Sequence, residues 1–248
     1  LTMPVLGMGA WHLGEDPAQR DDERRALQRG LELGMTMIDT AEMYGDGASE
    51  ELVGEAIADR RDEVVLVSKV YPWNAGRDRI RASCEASLQR LGTDRLDLYL
   101  LHWPGRVPLE EVVDGMRSLR GEGKILHYGV SNVDVSEMRY LLDLPGGEDC
   151  AVNQVLYNLA RRGVEAELMD LCLESGVGVM AYTPLDSGSL VASEPVQAIS
   201  ARHGVCAAQV ALAWTIRHEG VLAVPKAGRI EHVEENVRAA RLELTEQD

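Results

Sequence analysis

The chain has 248 residues, 45% of them hydrophobic and 27% charged, an ordinary balance for a soluble globular protein. Its formal net charge of −16 argues against a nucleic-acid partner, whose phosphates demand a basic face, and against anionic membrane surfaces. The length admits two small domains, but barrels of about 250 residues are routinely one domain.

From the N-terminus, short apolar runs alternate with longer amphipathic stretches. Val5–Met8 is followed by Asp21–Leu33, Met35–Ile38 by Ser49–Ala58, and Val64–Val67 by Arg77–Leu91. Leu96–Leu101 precedes Leu109–Gly121, Ile125–Val130 precedes Ser136–Leu142, and Ala151–Val155 precedes Val164–Glu174. Val177–Ala181 leads to an additional helical stretch at Glu194–Arg202 and then to Ala207–His218; Val221–Val224 leads to Glu231–Ala239. The apolar runs lack strict alternation, as strands buried on both faces of a parallel sheet do. Eight runs and eight principal helices predict an α/β fold, a (β/α)8 TIM barrel with its active site at the C-terminal ends of the strands. Residues 1–248 read as one such domain, expected to lack some N- and C-terminal residues and part of a loop near 185–194. The rival is an open doubly wound sheet, which wants G-x-G-x-x-G after its first strand. Here Gly7 and Gly9 are followed by His12, so the third glycine is missing and the pair reads as a backbone turn.

Cys84, Cys150, Cys172 and Cys206 are widely and irregularly spaced. That pattern suits neither a metal site nor a disulfide framework and fits a reduced, cytoplasmic compartment. No apolar run approaches the ~18–20 residues that cross a bilayer, and no basic region followed by an apolar stretch marks a signal peptide.

Every apolar run ends in a residue able to touch a ligand. The ends are Trp11, Asp39, Lys69, His102, Ser131-Asn132, Asn153-Gln154, Tyr182 and Lys226. Each has an ordinary explanation. Asp39 can cap the next loop or helix, Lys69 can snorkel to solvent, His102 can be a hydrogen-bonded core histidine, and Tyr44 a loop tyrosine. Their coincidence at one barrel mouth is what points to chemistry. Together they suit carbonyl reduction, in which negative charge develops on oxygen and a proton must be supplied. A tyrosine can supply it, and a nearby ammonium favours the phenolate and lowers the tyrosine pKa. Lysine does so as a compact point charge, and lysine is rare here, occurring only at 69, 124 and 226. Asp39 is expected to pair with Lys69, and a neutral His102 to donate to the carbonyl oxygen.

Asp-Thr-Ala-Glu-Met-Tyr-Gly at 39–45, Val-Ser-Lys-Val at 67–70, Leu-Asp-Leu-Tyr-Leu-Leu-His-Trp-Pro at 96–104 and Gly-Val-Ser-Asn at 129–132 resemble the signatures of the aldo-keto reductase family. So do Asn-Gln at 153–154, Ala-Tyr-Thr-Pro-Leu at 181–185 and Val-Pro-Lys at 224–226, in the same order over nearly the whole chain. The stretch from Lys69 to Gly76 looks closest to bacterial members that reduce methylglyoxal and related small aldehydes. The resemblance implies NADPH-dependent, metal-free reduction of small aldehydes and ketones, with Tyr44 as general acid and Asp39, Lys69 and His102 completing the catalytic group. It implies that Ser131, Asn132 and Gln154 hold the carboxamide of NADP(H) and that Tyr182 stacks on its ring. Thr183 and Leu185 would line the cofactor channel, and Lys226, Arg229, Glu235 and Asn236 would meet the adenosine end. Two departures stand out: His232 where many members carry an arginine for the 2′-phosphate, and Ala227 where serine often follows the lysine.

Trp11, Trp73 and Trp103, with Tyr71 nearby, are expected to wall an apolar pocket for a small carbonyl substrate. Thr245 and Asp248 resemble a helix-start pair. Monomer is the family-based expectation. Three alternatives stay open. One is a reductase of sugars or keto acids on the same scaffold. Another is a nicotinamide-binding regulatory or redox-sensing barrel subunit with little turnover. The third is a barrel isomerase or aldolase using Lys69 as a Schiff base.

Overall fold

A computed structural model describes residues 3–248; Leu1 and Thr2, the start of the expected domain span, lie outside the described residues. Eight strands run in chain order: β1 (Met8–Gly9), β2 (Met37–Asp39), β3 (Val65–Val70), β4 (Leu96–Leu101), β5 (Ile125–Ser131), β6 (Cys150–Leu156), β7 (Gly178–Tyr182) and β8 (Val221–Ala223). The helices are α1 (Arg20–Glu32), α2 (Ala48–Ile57), α3 (Arg77–Leu91), α4 (Leu109–Gly121), α5 (Val135–Asp143), α6 (Leu168–Glu174), α7 (Glu194–His203), α8 (Ala207–Thr215) and α9 (Ile230–Arg238). Each strand pairs in parallel with the next. The sheet then closes on itself, because Leu6 bridges Ala223 and Gly9 bridges Lys226, also in parallel.

That closure gives the first glycine pair a different role from the expected turn. Gly7 N–H donates to the Ala223 carbonyl at 2.9 Å and Gly9 N–H to the Pro225 carbonyl at 3.0 Å. A Cβ on Gly9 would come within 2.7 Å of the Val224 carbonyl oxygen. The pair is therefore the seam of the barrel; Gly9 lacks a side chain because the closing backbone passes there, and a Cβ on Gly7 would come within 2.5 Å of the Met37 side chain.

Side chains alternate along each strand. One set packs outward against the helices, as Ile38, Leu66, Tyr99, Leu101, Tyr128, Val179 and Ala223 do. The other fills the barrel interior: Met37, Val67, Leu98, Leu100, Val152, Met180, Leu222 and Val224. Extending the inward set two residues further along the chain arrives at Asp39, Lys69, His102, Gln154, Tyr182 and Lys226. The spacing that packs the core thus aims the polar residues at the mouth.

Several helix ends reflect local chemistry. Asp134 and Glu137 form a reciprocal capping box at the start of α5, and α3 and α7 stop at left-handed Gly92 and Gly204. The expected helix Val164–Glu174 is instead a 3-10 turn, Gly163–Ala166, followed by α6. Glu165 in that turn accepts from Tyr157 at 2.6 Å, and from Arg162 and Arg217 at 2.8 Å each. The stretch expected to be a truncated loop near 185–194 is a compact 3-10 segment, Asp186–Ala192, leading into α7. Thr245 and Asp248 do pair, the Asp248 carboxylate accepting from the Thr245 N–H at 2.9 Å and hydroxyl at 2.8 Å; the same carboxylate holds Arg202 and His203 at the end of α7.

Candidate active site

Lys69 stands at the centre of the mouth, its side chain wholly buried. Its ammonium donates to Asp39 Oδ2 at 2.8 Å, to the Thr40 carbonyl at 2.8 Å and to the Tyr44 hydroxyl at 3.2 Å. All three donor positions are used, so the charge is fixed in direction. Burial pushes the lysine pKa down, but the Asp39 carboxylate and Tyr44 outweigh it and the net direction is upward. With its three donor positions held by Asp39, Thr40 and Tyr44, the amine is not poised as a Schiff-base nucleophile, which disfavours the aldolase alternative.

Tyr44 sits on a 3-10 turn, Tyr44–Gly47, whose Gly45 and Asp46 are left-handed. Lys69 lowers its pKa as expected, by charge and by hydrogen bond, but does not decide the net direction. Burial raises it more than the ammonium lowers it, so the phenol lies above its ordinary value and stays protonated at neutral pH. His102 is buried, and burial followed by the Lys69 charge depresses its pKa to about 3, so the ring is neutral. Its Nδ1 is buried without a partner. A proton there would be an orphaned donor, so the tautomer is assigned with N–H at Nε2. The Tyr44 and His102 rings meet edge to face at 5.8 Å.

The second expected group is joined to the first. Gln154 donates its amide N–H to Asp39 Oδ1 at 2.9 Å, so one carboxylate links Lys69 to the strand β6 amide. The Ser131 hydroxyl donates to the Gln154 carbonyl at 2.9 Å. Asn132 is left-handed, a conformation asparagine tolerates. Its amide donates to the His102 carbonyl at 3.2 Å and accepts from the Tyr182 hydroxyl at 2.8 Å. Asn132 therefore ties the ends of β4, β5 and β7 together. Thr183 is left-handed too, its carbonyl held by buried Asn158 at 2.9 Å, and Leu185 packs against the main core.

The third group is looser. Lys226, Arg229 and His232 are exposed, Glu235 is half-buried and Asn236 buried. Among the described residues neither Lys226 nor Arg229 has an ion-pair partner. Helix α9 begins beside them with no side-chain cap on its first turn, leaving N–H donors and unspent cations together, a fit for phosphate. Trp11 and Trp73 are about half exposed after β1 and β3, and Trp103 follows β4. Tyr71, Trp73 and Trp103 form one cluster, while Trp11 lies against His12 instead.

Sequence reasoning missed the supports behind these groups. The Ser49 hydroxyl, from α2, donates to the Ala10 carbonyl and meets the Thr40 hydroxyl, both at 2.9 Å. Buried Glu50 accepts from Ser68, beside Lys69, at 2.5 Å and from Arg90 at 2.6 Å. Both are polar residues at the start of an amphipathic helix, and nothing in their spacing marks them.

Among the described residues no group of His, Cys, Asp and Glu is arranged to hold a metal, and no helix is long and apolar enough to cross a membrane.

The aldo/keto reductase family model matches residues 5–248. The chain is 50% identical over 250 residues to methylglyoxal reductase YeaE of Escherichia coli K12, covering 99% of this chain and 88% of that protein. It is 30% identical to methylglyoxal reductase DkgB of Escherichia coli O157:H7, covering 100% and 91%. Among solved structures, an aldo/keto reductase of Klebsiella pneumoniae in complex with NADP and acetate has a TM-score of 0.97 at 49% identity, covering 99% and 88%. With the barrel, the family model and these relatives in agreement, the chain belongs to the aldo/keto reductase family.

Proposed function

We propose that this protein reduces small aldehydes and ketones, methylglyoxal among them, to alcohols with NADPH. The observation that carries the reading is the buried Asp39–Lys69–Tyr44 chain beside a neutral His102. When bound, the nicotinamide supplies the hydride. Tyr44, protonated at rest, gives its phenolic proton to the carbonyl oxygen. The phenolate left behind faces the Lys69 ammonium, which Asp39 holds in place and keeps charged. The Nε2–H of His102 donates to the same oxygen and orients it, giving the developing charge two aimed donors. Asn132, Gln154 and Ser131 offer amide and hydroxyl groups for a carboxamide, Tyr182 a ring to stack on it, and Thr183 and Leu185 the channel beyond. Lys226, Arg229, Glu235 and Asn236 would receive the adenosine end, Arg229 serving where His232 replaces the usual arginine. Trp73 and Trp103, with Tyr71, would wall the substrate, and Trp11 the β1 side of the mouth.

Relatives named as methylglyoxal reductases at 50% and 30% identity favour turnover over a binding-only role. The four cysteines are all free thiols, three of them buried, which suits a reducing, cytoplasmic compartment; a monomer acting as one barrel is the form proposed. The test is the loss of NADPH absorbance on adding methylglyoxal, repeated with NADH. Rapid oxidation of NADPH supports the reading. Tight cofactor binding with no turnover across a panel of aldehydes and ketones would move the binding-only role ahead.

A further inference from the structure

Two loops at the mouth are joined by a side chain outside the hydrogen-bond network of Lys69. Glu42 lies between Asp39 and Tyr44 in the loop after β2. Its backbone N–H donates to the Lys69 carbonyl at 3.3 Å. Its Oε1 accepts from the Tyr71 N–H at 2.6 Å and from the Asn74 amide at 3.3 Å. Those two donors bracket Trp73. Tyr71 and Trp73 are stacked at 4.3 Å and 20°, and Trp103 meets both edge-on at 6.0 and 5.9 Å. The far side of the same loop rests on the loop after β4, where a Cβ on Gly105 would come within 2.5 Å of Pro72. The aromatic cluster is thus held from β2 by Glu42 and from β4 by the Pro72–Gly105 contact. With Trp73 54% exposed, packing alone restrains it weakly, and a short hydrogen bond to a backbone N–H is the stronger tether.

We infer that Glu42 is a positioning residue that fixes the Tyr71–Trp73–Trp103 wall and so sets which aldehydes the site prefers. The inference rests on the reading of that wall as the substrate pocket. Acceptance, not charge, is what the loop needs: Glu42 Oε2 has no protein partner among the described residues, so glutamine keeps the useful oxygen. Freeing the loop weakens binding of a flat, ring-bearing aldehyde that stacks on the wall. It leaves proton delivery at Tyr44 intact, and it barely touches methylglyoxal, which is too small to span the rings.

The test is steady-state kinetics of Glu42→Ala, Glu42→Gln, Asn74→Ala and Trp73→Ala with benzaldehyde and methylglyoxal at saturating NADPH. Tryptophan emission of the Glu42 and Asn74 variants is recorded without substrate. Glu42→Ala is expected to raise KM for benzaldehyde about 10-fold, from the loss of both hydrogen bonds that Oε1 accepts. Its kcat should stay within about 2-fold, and its emission should shift to the red. Glu42→Gln should restore both. Asn74→Ala, which removes one donor to the same oxygen, should give about a 3-fold rise and serves if Glu42→Ala does not fold. Equal losses in Glu42→Ala and Glu42→Gln, or a fall confined to kcat, would overturn the role assigned to Glu42. If Trp73→Ala changes the benzaldehyde-to-methylglyoxal preference and neither Glu42→Ala nor Asn74→Ala does, this inference fails alone. If Trp73→Ala leaves the preference unchanged, the pocket reading fails and takes the inference with it.

Discussion

The mouth of β2 to β4 and the mouth of β8 are built in opposite ways. At the first, Asp39, Lys69 and His102 are buried and Tyr44 is in contact with them, with every donor of Lys69 used inside the protein. At the second, Lys226 and Arg229 project into solvent at the uncapped start of α9 without an ion-pair partner among the described residues. On the proposed function, the difference separates two tasks. Charge that must stabilise a transition state is desolvated and aimed in advance, where a low dielectric strengthens it. Charge that must bind and release a cofactor stays hydrated, where each contact contributes little and substitution is tolerated.

If that division holds, substitutions at the first mouth damage stability and chemistry together. Lys69→Met leaves Asp39 buried without its cation, a loss of about 3–5 kcal/mol. Chemical denaturation is expected to show stability falling by that amount, with turnover abolished; an unchanged midpoint would mean that the pair is not desolvated as described.

A smaller effect comes from His102. Its folded pKa, about 3, lies below the value near 6.5 of an exposed histidine. Between those values the unfolded chain binds the proton and the folded one does not, so stability falls as pH drops from 6.5 toward 3. The loss at pH 5 is about 2 kcal/mol, at roughly 1.4 kcal/mol per unit. Glu165, held near 2 by its hydrogen-bonding partners against the opposing effect of burial, acts only below about pH 4.5. Denaturation of His102→Gln against wild type at pH 7 and 5 isolates the histidine: the variant should show the flatter profile, and parallel profiles would break the assignment.

The β8 side should respond through affinity alone. Arg229→Ala is expected to weaken NADPH binding about 10-fold with little change for NADH, consistent with one phosphate contact. His232→Arg should tighten NADPH by about 3-fold, the smallest effect of the set. Both are read from cofactor titrations at two salt concentrations, since exposed charge contacts weaken with salt. A change in kcat from either variant would blur the contrast between the two mouths.

Much of the first mouth is legible in the sequence because of a single periodicity. Strands buried on both faces point to a parallel sheet, their count of eight to the barrel, and alternation along them carries the inward set from Val67 to Lys69 and from Leu100 to His102. Contacts between elements escape that reading. Ser49, Glu50 and Asn158 each serve a partner far along the chain and carry no local signal of it. Gly7 and Gly9 read as a turn because the strand that closes on them lies at the other end of the chain. The lowering of the Tyr44 pKa by the ammonium at 69 is visible in a sequence, whereas the depth of burial that outweighs it is not.

The most direct test compares wild type with Tyr44→Phe in a single turnover of methylglyoxal on enzyme already loaded with NADPH, alongside the NADPH Kd of each. The account predicts an unchanged Kd and oxidation about 10³-fold slower in the variant, within the range for loss of a general acid. Oxidation within a few-fold of wild type would contradict it, because the proton would then come from a group other than Tyr44.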